Sequence, residues 1–281
     1  MIPAAFEYER AESVDEAIDL LGRFGDEAKL LAGGQSLLSL MKLRLAFPTA
    51  LVDIGRIGEL AYVREAGDRI AIGAMTTHED VHRSELLEET CPLLSHAAGE
   101  VGDPQVRHVG TIGGSVAHAD PASDLPTVLL ALEADLVVRG PGGERTVPAT
   151  EFFKGTFEPD LGPEDVLTEI RVPRTGGAGW SYVKFHPRAQ DWAIVGIAAL
   201  VERSNGGIGN AQIGLTNMGP VPMRAAAFEQ ALASGADVRE AAERVTEGTS
   251  PVSDPFATAE YRTELVRVLA RRAVEQALGR T

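Results

Sequence analysis

Apolar residues at positions 14, 17, 18 and 21 recur at helical spacing, and Ser13 followed by Glu16 makes a capping box in front of them. This predicts a first helix stopped by Gly22 or Gly25. Lys29-Leu-Leu-Ala then reads as a short buried strand that runs into Gly33-Gly34. The stretch from Ser36 to Leu43 is apolar with scattered polar positions and predicts a helix ended by Phe47-Pro48. Leu51-Val-Asp-Ile is a second strand, stopped by Gly55. Strand, glycine turn, helix and strand make a small α/β unit.

From Ala61 the pattern changes. Tyr62 to Glu65 and Arg69 to Gly73 predict a hairpin around Gly67-Asp68. Thr76 with Glu79 offers a second capping box for a helix running towards Leu87, and another helix covers Pro92 to Glu100. Residues 102–126 have no clear period and are rich in Gly, Asp, Pro and His. An ordered stretch of that kind is more often functional than connective. Thr127 to Leu132 is compact and apolar, Asp135 to Val147 reads as a hairpin, and Val166 to Pro173 as a strand. After a glycine-rich linker at Thr175, three strand-like runs follow: Trp180–His186, Ile194–Glu202 and Ala211–Thr216. The last two are joined across 204–209, and three alanine-rich helices come next, at Arg224–Ala233, Val238–Thr246 and Ala257–Leu278. The expected fold class is therefore α+β, with domains at 1–174 (subdomains 1–57 and 58–174) and 175–281.

Composition narrows the function classes. A net charge of −15 argues against an unaided nucleic-acid or anionic-membrane surface, though not against a local anion site built from backbone N–H groups. Cys91 is the single cysteine, which excludes an intrachain disulfide, a zinc ribbon, a CxxC redox pair and an iron–sulfur cluster held by four cysteines of this chain. The first residues carry neither a basic flank nor an apolar run, so no signal peptide is expected. The longest apolar stretch, Ala193 to Val201, is far short of the ~18 residues a membrane span needs. A cytoplasmic protein is expected.

Glycine, at 30 residues, exceeds its usual share of about 7%. Four of the glycines fall in two similar segments, Ala32-Gly33-Gly34-Gln35-Ser36 and Thr111-Ile112-Gly113-Gly114-Ser115. Without a Cβ, such a loop brings its backbone close to a ligand and lets successive N–H groups point at one anion. Two loops suit a pyrophosphate. A lone Gly-Gly is more often a tight turn, and neither segment matches GxGxxG or GxxxxGK[ST]. Spacing alone leads to a phosphate-bearing ligand and stops there.

Leu31-Ala-Gly-Gly-Gln-Ser-Leu and the run from Gly110-Thr-Ile-Gly-Gly-Ser through Asp120-Pro-Ala-Ser-Asp-Leu-Pro resemble the two FAD-binding motifs of the xanthine dehydrogenase and carbon monoxide dehydrogenase family of molybdenum hydroxylases. The resemblance spans essentially the whole chain, which is similar to the family's separate flavoprotein, or medium, subunit. It implies a two-part FAD-binding domain of the PCMH type, followed by an α+β domain of three antiparallel strands and three helices. On this resemblance Ala32, Gly33, Gly34, Gln35 and Ser36, with Thr111, Ile112, Gly113, Gly114 and Ser115, hold the FAD pyrophosphate and ribityl chain. Asp124 accepts hydrogen bonds from ribose hydroxyls. The family's second loop usually ends in Asn where this chain has Ser115, which keeps a hydroxyl but loses an amide donor. The segment Tyr182 to Ala193 is similar to the region beside the flavin ring. There Lys184 implies positive charge near the pyrimidine, and Trp192 a cover over one ring face. Taken without the family, Trp192 reads as a core aromatic, and Lys184 and Arg188 as a solvated strand face. No catalytic residue and no metal ligand of this chain is implied. The molybdenum cofactor sits on a large subunit and the [2Fe–2S] clusters on a small one, in an (αβγ)2 assembly. A free-standing flavin oxidoreductase and a flavin-free scaffold of the same fold are the alternatives.

Four further readings concern lesser candidates. His78 and His82 stand at helical i, i+4 spacing, but without an HExxH context they read as a surface pair. His108 and His118 flank the second glycine loop, and Asp120-Pro121 predicts a turn. Cys91 reads as buried and inert.

Overall fold

A computed structural model describes residues 2–204 and 206–280. The chain begins with β1 (Glu7–Arg10), α1 (Val14–Phe24), β2 (Ala28–Leu31), α2 (Leu37–Leu43) and β3 (Ala50–Asp53). These strands form a parallel sheet in the order β1-β3-β2. Ser13 caps α1 by accepting from the Glu16 N–H, and Gly25 ends it at φ +76°. Val14, Ala17, Ile18 and Leu21 turn inward as the spacing predicts, onto Val52 and Ile54. β1 was not expected, because all four of its residues are exposed and show no alternation. α2 stops earlier than Phe47-Pro48: Arg44 turns left-handed at φ +62° and its N–H returns to the Leu40 and Met41 carbonyls.

The middle of the chain is built on a five-stranded antiparallel sheet. β4 (Val63–Ala66) and β5 (Arg69–Gly73) form the expected hairpin. A helical run follows: α3 (His78–His82), α4 (Glu85–Thr90), α5 (Pro92–Gly99), α6 (Pro104–Arg107), α7 (Ile112–His118) and α8 (Asp124–Ala131). The second hairpin is β6 (Asp135–Gly140) with β7 (Gly143–Pro148), and α9 (Ala149–Phe152) leads to a small pair, β8 (Phe153–Gly155) and β9 (Glu158–Pro159). β10 (Val166–Pro173) returns to the centre, giving the order β4-β5-β10-β6-β7.

Three expectations for this region are corrected. The cap of α3 is Thr77 with the Asp80 N–H, one residue later than the Thr76–Glu79 box. Thr76 is instead buried and bonds the Tyr62 backbone. The helix towards Leu87 breaks at Arg83-Ser84, where Ser84 caps α4. Residues 102–126 carry two short helices and the start of a third, each opened by its own Asp, Thr or Ser rather than by an apolar period.

The last third forms β11 (Gly179–Phe185), β12 (Val195–Ser204), β13 (Gly207–Thr216) and β14 (Met223–Arg224), then α10 (Ala226–Ala233), α11 (Val238–Ala242), a 3-10 turn at Glu243–Thr246 and α12 (Ala259–Leu278). The sheet is antiparallel in the order β11-β12-β13-β14, so the three expected strands gain a short fourth. Asn205, in the expected turn, lies outside the described residues. Three apolar cores result: one around the parallel sheet, one over the five-stranded sheet and one between the last sheet and α12. Tyr182, Ala198 and Leu200 of the last sheet belong to the middle core, which fastens α8 against β11–β13.

Candidate functional site

The two glycine segments meet. A Cβ on Gly33 would lie 2.1 Å from the Val109 carbonyl oxygen and 2.9 Å from Gly110 Cα, so only glycine permits the first loop to lie against the second. A Cβ on Gly114 would come within 3.8 Å of Ala32 Cβ, from the other side of the same junction. Gly34 holds φ +71°, a conformation that β-carbon-bearing residues rarely adopt.

The loops differ in what their backbones offer. Among the described residues, the N–H groups of Gly33, Gly34, Gln35 and Ser36 have no hydrogen-bond partner. Four successive free donors at a half-buried loop are a cradle for an anion. The second loop spends most of its donors internally. Ile112 and Gly113 donate to the Thr76 and Ala74 carbonyls, Gly114 to Thr111 Oγ1 and Ser115 to the Thr111 carbonyl. The sequence reading had both loops presenting N–H groups to one anion. In the structure the second loop's glycines serve close approach instead, with Gly113 seated on Ala74.

This second segment is itself the cap and first turn of α7, and past the end of that helix the chain turns at Asp120 and starts α8 with Asp124. Asp120 makes the expected turn, accepting from the Ala122 N–H on its side chain and the Ser123 N–H on its carbonyl. Asp124 is buried, and Lys184 Nζ donates to it at 2.8 Å while the Tyr182 hydroxyl donates at 2.5 Å. Lys184 also donates to the Glu100 carbonyl at 2.9 Å, and its side chain is buried. So Lys184 does not lie on a solvated strand face. Burial raises the Asp124 carboxyl above the usual range, and Lys184 and Tyr182 pull against that shift. Burial first, then the Asp124 charge, pushes the Tyr182 phenol well above its ordinary value, so it stays a donor. Behind Tyr182, Thr216 donates to Thr127 Oγ1 at 2.9 Å. A Cβ on Gly196 would fall 2.8 Å from Thr216 Oγ1, and one on Gly214 2.5 Å from the Thr127 carbonyl. These two glycines let the last sheet close on α8.

Trp192 is 55% exposed, so it is no core aromatic. It sits on the loop after β11, next to Ala193, whose carbonyl accepts from Asn217 Nδ2 at 2.8 Å. The Asn217 N–H donates to the Pro121 carbonyl at 2.8 Å. Asn217, held at φ +62°, therefore ties the Trp192 loop to the turn before Asp124. Sequence reasoning missed both Tyr182 and Asn217. Tyr182 lies two residues from Lys184 and so on the same strand face, which was a usable signal. Arg188 is exposed and pairs with Asp191 at 3.6 Å.

His78 and His82 are not a surface pair. His82 is exposed and its Nδ1 meets the Ser95 carbonyl, whereas His78 is buried against Gly110, whose carbonyl accepts the His78 backbone N–H. Among the described residues no cluster of metal-ligating side chains occurs. Burial, aided by Arg107, pushes the His78 imidazole down to about 4. The unfolded chain therefore takes up a proton near the ordinary 6.5 that the folded chain refuses until about 4. This stabilisation is complete above pH 6.5 and falls away as pH drops to about 4, a loss on the order of 3 kcal/mol. Melting curves across that window are expected to show a steeper fall for the wild type than for His78→Gln; parallel slopes would reject the assignment. Elsewhere, His108 Nδ1 meets the Pro104 carbonyl, and His118 packs on Phe157 at 5.0 Å between ring centres. Cys91 is buried, and burial pushes its thiol up to about 12, so it stays protonated.

An anion cradle, a buried carboxylate within the reach of one helix and an exposed aromatic beside it make a site for an elongated phosphate-bearing cofactor. Comparison with known proteins decides which. The profile described as the FAD binding domain in molybdopterin dehydrogenase matches residues 4–175, and that of the CO dehydrogenase flavoprotein C-terminal domain matches 180–277.

The chain belongs to this flavoprotein family.

It is 42% identical to the carbon monoxide dehydrogenase medium chain of Hydrogenophaga pseudoflava, covering 100% of this chain and 99% of that one. It is 38% identical to the alpha subunit of the 6-hydroxypseudooxynicotine dehydrogenase complex of Paenarthrobacter nicotinovorans, covering 100% and 97%. A solved carbon monoxide dehydrogenase from H. pseudoflava, lacking the Mo-pyranopterin moiety of its molybdenum cofactor, superposes at a TM-score of 0.96 with 44% identity, covering 100% and 99%. As a family member the chain is the FAD-binding subunit of a molybdenum hydroxylase type of oxidoreductase. The α+β expectation holds, and no helix among the described residues is long and apolar enough to cross a membrane. FAD fits the residues present, because the free N–H groups of the first loop suit a pyrophosphate and Asp124 keeps acceptor capacity for hydroxyls.

Proposed function

We propose that this chain receives electrons from the [2Fe–2S] clusters of a small subunit and passes them through FAD to an external acceptor, while a large molybdenum subunit oxidises the substrate. The observation that carries the reading is the free donor run at Gly33–Ser36, together with the buried Asp124–Lys184 pair. When bound, FAD would supply the redox chemistry, taking electrons one at a time and passing them to the acceptor. The chain's own residues do the holding. Ala32 to Ser36 cradle the pyrophosphate through backbone N–H groups, and Thr111 to Ser115 close the far wall by their small size. Asp124, fixed by Tyr182 and Lys184, accepts from the cofactor's hydroxyls. The charge of Lys184, expected near the ring, is offset by Asp124, so Lys184 acts by positioning that carboxylate, and the exposed Trp192 covers one face of the ring and meters access to it.

The cofactor-binding part is taken as 1–174 and the C-terminal part as 175–281, within an (αβγ)2 assembly in the cytoplasm. The Gly-Gly-Gln-Ser and Ala-His-Ala-Asp-Pro motifs and the 42% identity to a carbon monoxide dehydrogenase chain support the reading of this chain as a medium subunit of the carbon monoxide dehydrogenase type. The choice of substrate is made in the large subunit.

The purified chain is expected to show a flavin absorption spectrum, to release FAD on denaturation and to co-purify with cysteine-rich and molybdenum-bearing subunits. A chain that stays colourless after incubation with FAD refutes the assignment and leaves the scaffold reading. Flavin without partner subunits leaves the free-standing oxidoreductase.

A further inference from the structure

Arg262, near the start of α12, is the largest fully buried side chain among the described residues. Burying a guanidinium is costly unless its partners are well placed, and a cation near the start of a 20-residue helix opposes the helix dipole. One arm donates to the Ile194 carbonyl and the other to Asp254, while Nε has no hydrogen-bond partner among the described residues. Asp254 is itself fixed, because its Oδ1 accepts the Phe256 and Ala257 N–H groups at 2.8 and 2.9 Å. Ile194 closes the loop that carries Trp192, its N–H donating to the Phe185 carbonyl at 2.8 Å across residues 186–193. The preceding carbonyl, Ala193, is the one held by Asn217. Two successive carbonyls directly after Trp192 are thus each held by a side chain from another element. The two holds are connected: Met218, next to Asn217, accepts the Ser250 N–H at 2.9 Å and so anchors the segment that leads to Asp254. At the other foot of the loop, Phe185 packs on Tyr261, the neighbour of Arg262, at 6.4 Å between ring centres. Bonds inside the loop are local, the Arg188 carbonyl receiving the Asp191 N–H and meeting His186 Nδ1.

We propose that Arg262 is a positioning residue for Trp192: spanning from Asp254 to the Ile194 carbonyl, it fixes the foot of the loop and with it the place of the indole. The proposal rests on the reading of Trp192 as the cover of the flavin ring. Further along α12, Val266, Leu269, Ala270 and Ala273 join the helix to the sheet by apolar packing, and a residue needed only for that purpose would be of their kind. A guanidinium adds what they cannot, donors in one fixed plane that hold a carboxylate and a carbonyl at a set separation. Trp192 is 55% exposed, so little packing holds the indole itself and its place is inherited from the two residues behind it.

The test uses the full chain and follows the indole. Trp180→Phe leaves Trp192 as the one tryptophan, and in that parent chain uptake of FAD is expected to quench its emission. Arg262→Met is expected to lower the fluorescence anisotropy of Trp192 before FAD is added. It is also expected to forfeit about half of the FAD-induced quenching, the share lost when a freed loop populates a second position equally. Leu269→Ala, two turns further along the buried face of α12, controls for a merely structural role: it is expected to lower Tm and leave both signals unchanged. Should Arg262→Met fail to fold, Arg262→Lys keeps a cation beside Asp254 but replaces the fork by a single donor centre. The same two losses are then expected at a Tm close to that of the parent. A folded Arg262 variant whose Trp192 keeps the parent's anisotropy and quenching overturns the proposal. So does a Leu269→Ala chain that loses them to the same degree. If the parent chain takes up FAD without any quenching of Trp192, the reading of Trp192 as a ring cover fails instead, and Arg262 has no cover to place.

Discussion

Gly33→Ala is expected to lose FAD affinity by roughly ten- to a hundredfold, although the substitution adds one methyl group. The added Cβ would stand 2.1 Å from the Val109 oxygen, 2.8 Å from its carbonyl carbon and 2.9 Å from Gly110 Cα. All three atoms are backbone, so no side chain can swing aside, and the two loops must part. Overpacking of this kind costs about 1–3 kcal/mol, and here it falls on the junction that aligns the free donors of Gly33 to Ser36. Gly58→Ala is the matched control, since its Cβ would meet nothing within 4 Å. Titration with FAD and a melting curve suffice. A Gly33→Ala chain that binds and melts like the Gly58→Ala control would show that the loops are not locked together as described.

The second large effect concerns the Asp124–Lys184 pair. Removing one partner of a buried ion pair leaves a charge that neither water nor protein compensates, at a cost of about 3–5 kcal/mol. Lys184→Met is therefore expected to destabilise the chain by that amount, with Tyr182 left as the only side-chain donor to Asp124 among the described residues. The double variant Asp124→Asn/Lys184→Met is expected to recover a large part of the lost stability, because no unpaired charge remains. It is not expected to recover FAD binding, since the carboxylate proposed to accept the hydroxyls is gone. Denaturant unfolding of the two singles and the double closes the cycle. Additive effects would mean that Asp124 and Lys184 act independently, contrary to their 2.8 Å contact.

The parts legible in the sequence are those governed by local rules. The Ser13 cap, the hairpin at Gly67 and the strands β10 to β12 follow from period, caps and turns, and the structure has them within a residue or two, while β13 starts four residues before the expected Ala211. The glycine loops were legible as close-approach sites, and the structure adds what they approach. The rest depends on distant partners. β1 is an edge strand without an apolar face, and it forms only because β3 offers it hydrogen bonds. The helices within 102–126 are too short to show a period. Lys184 reads as a surface lysine by type; it is buried because Asp124, sixty residues earlier, waits for it at the head of α8. Asn217 carries no signal except its tolerance of a left-handed backbone, which marks it only once φ is known.

The seam between the two halves of the chain passes through Asp124 and Thr127 on one side and Tyr182, Lys184 and Thr216 on the other. Neither half owns a finished binding site. Recombination between relatives is thereby restricted: a hybrid cut near residue 175 inherits a working seam only if both parents supply matching residues across it. Such an arrangement makes the two halves co-inherited parts, and it ties any drift in the packing of the last sheet directly to cofactor retention.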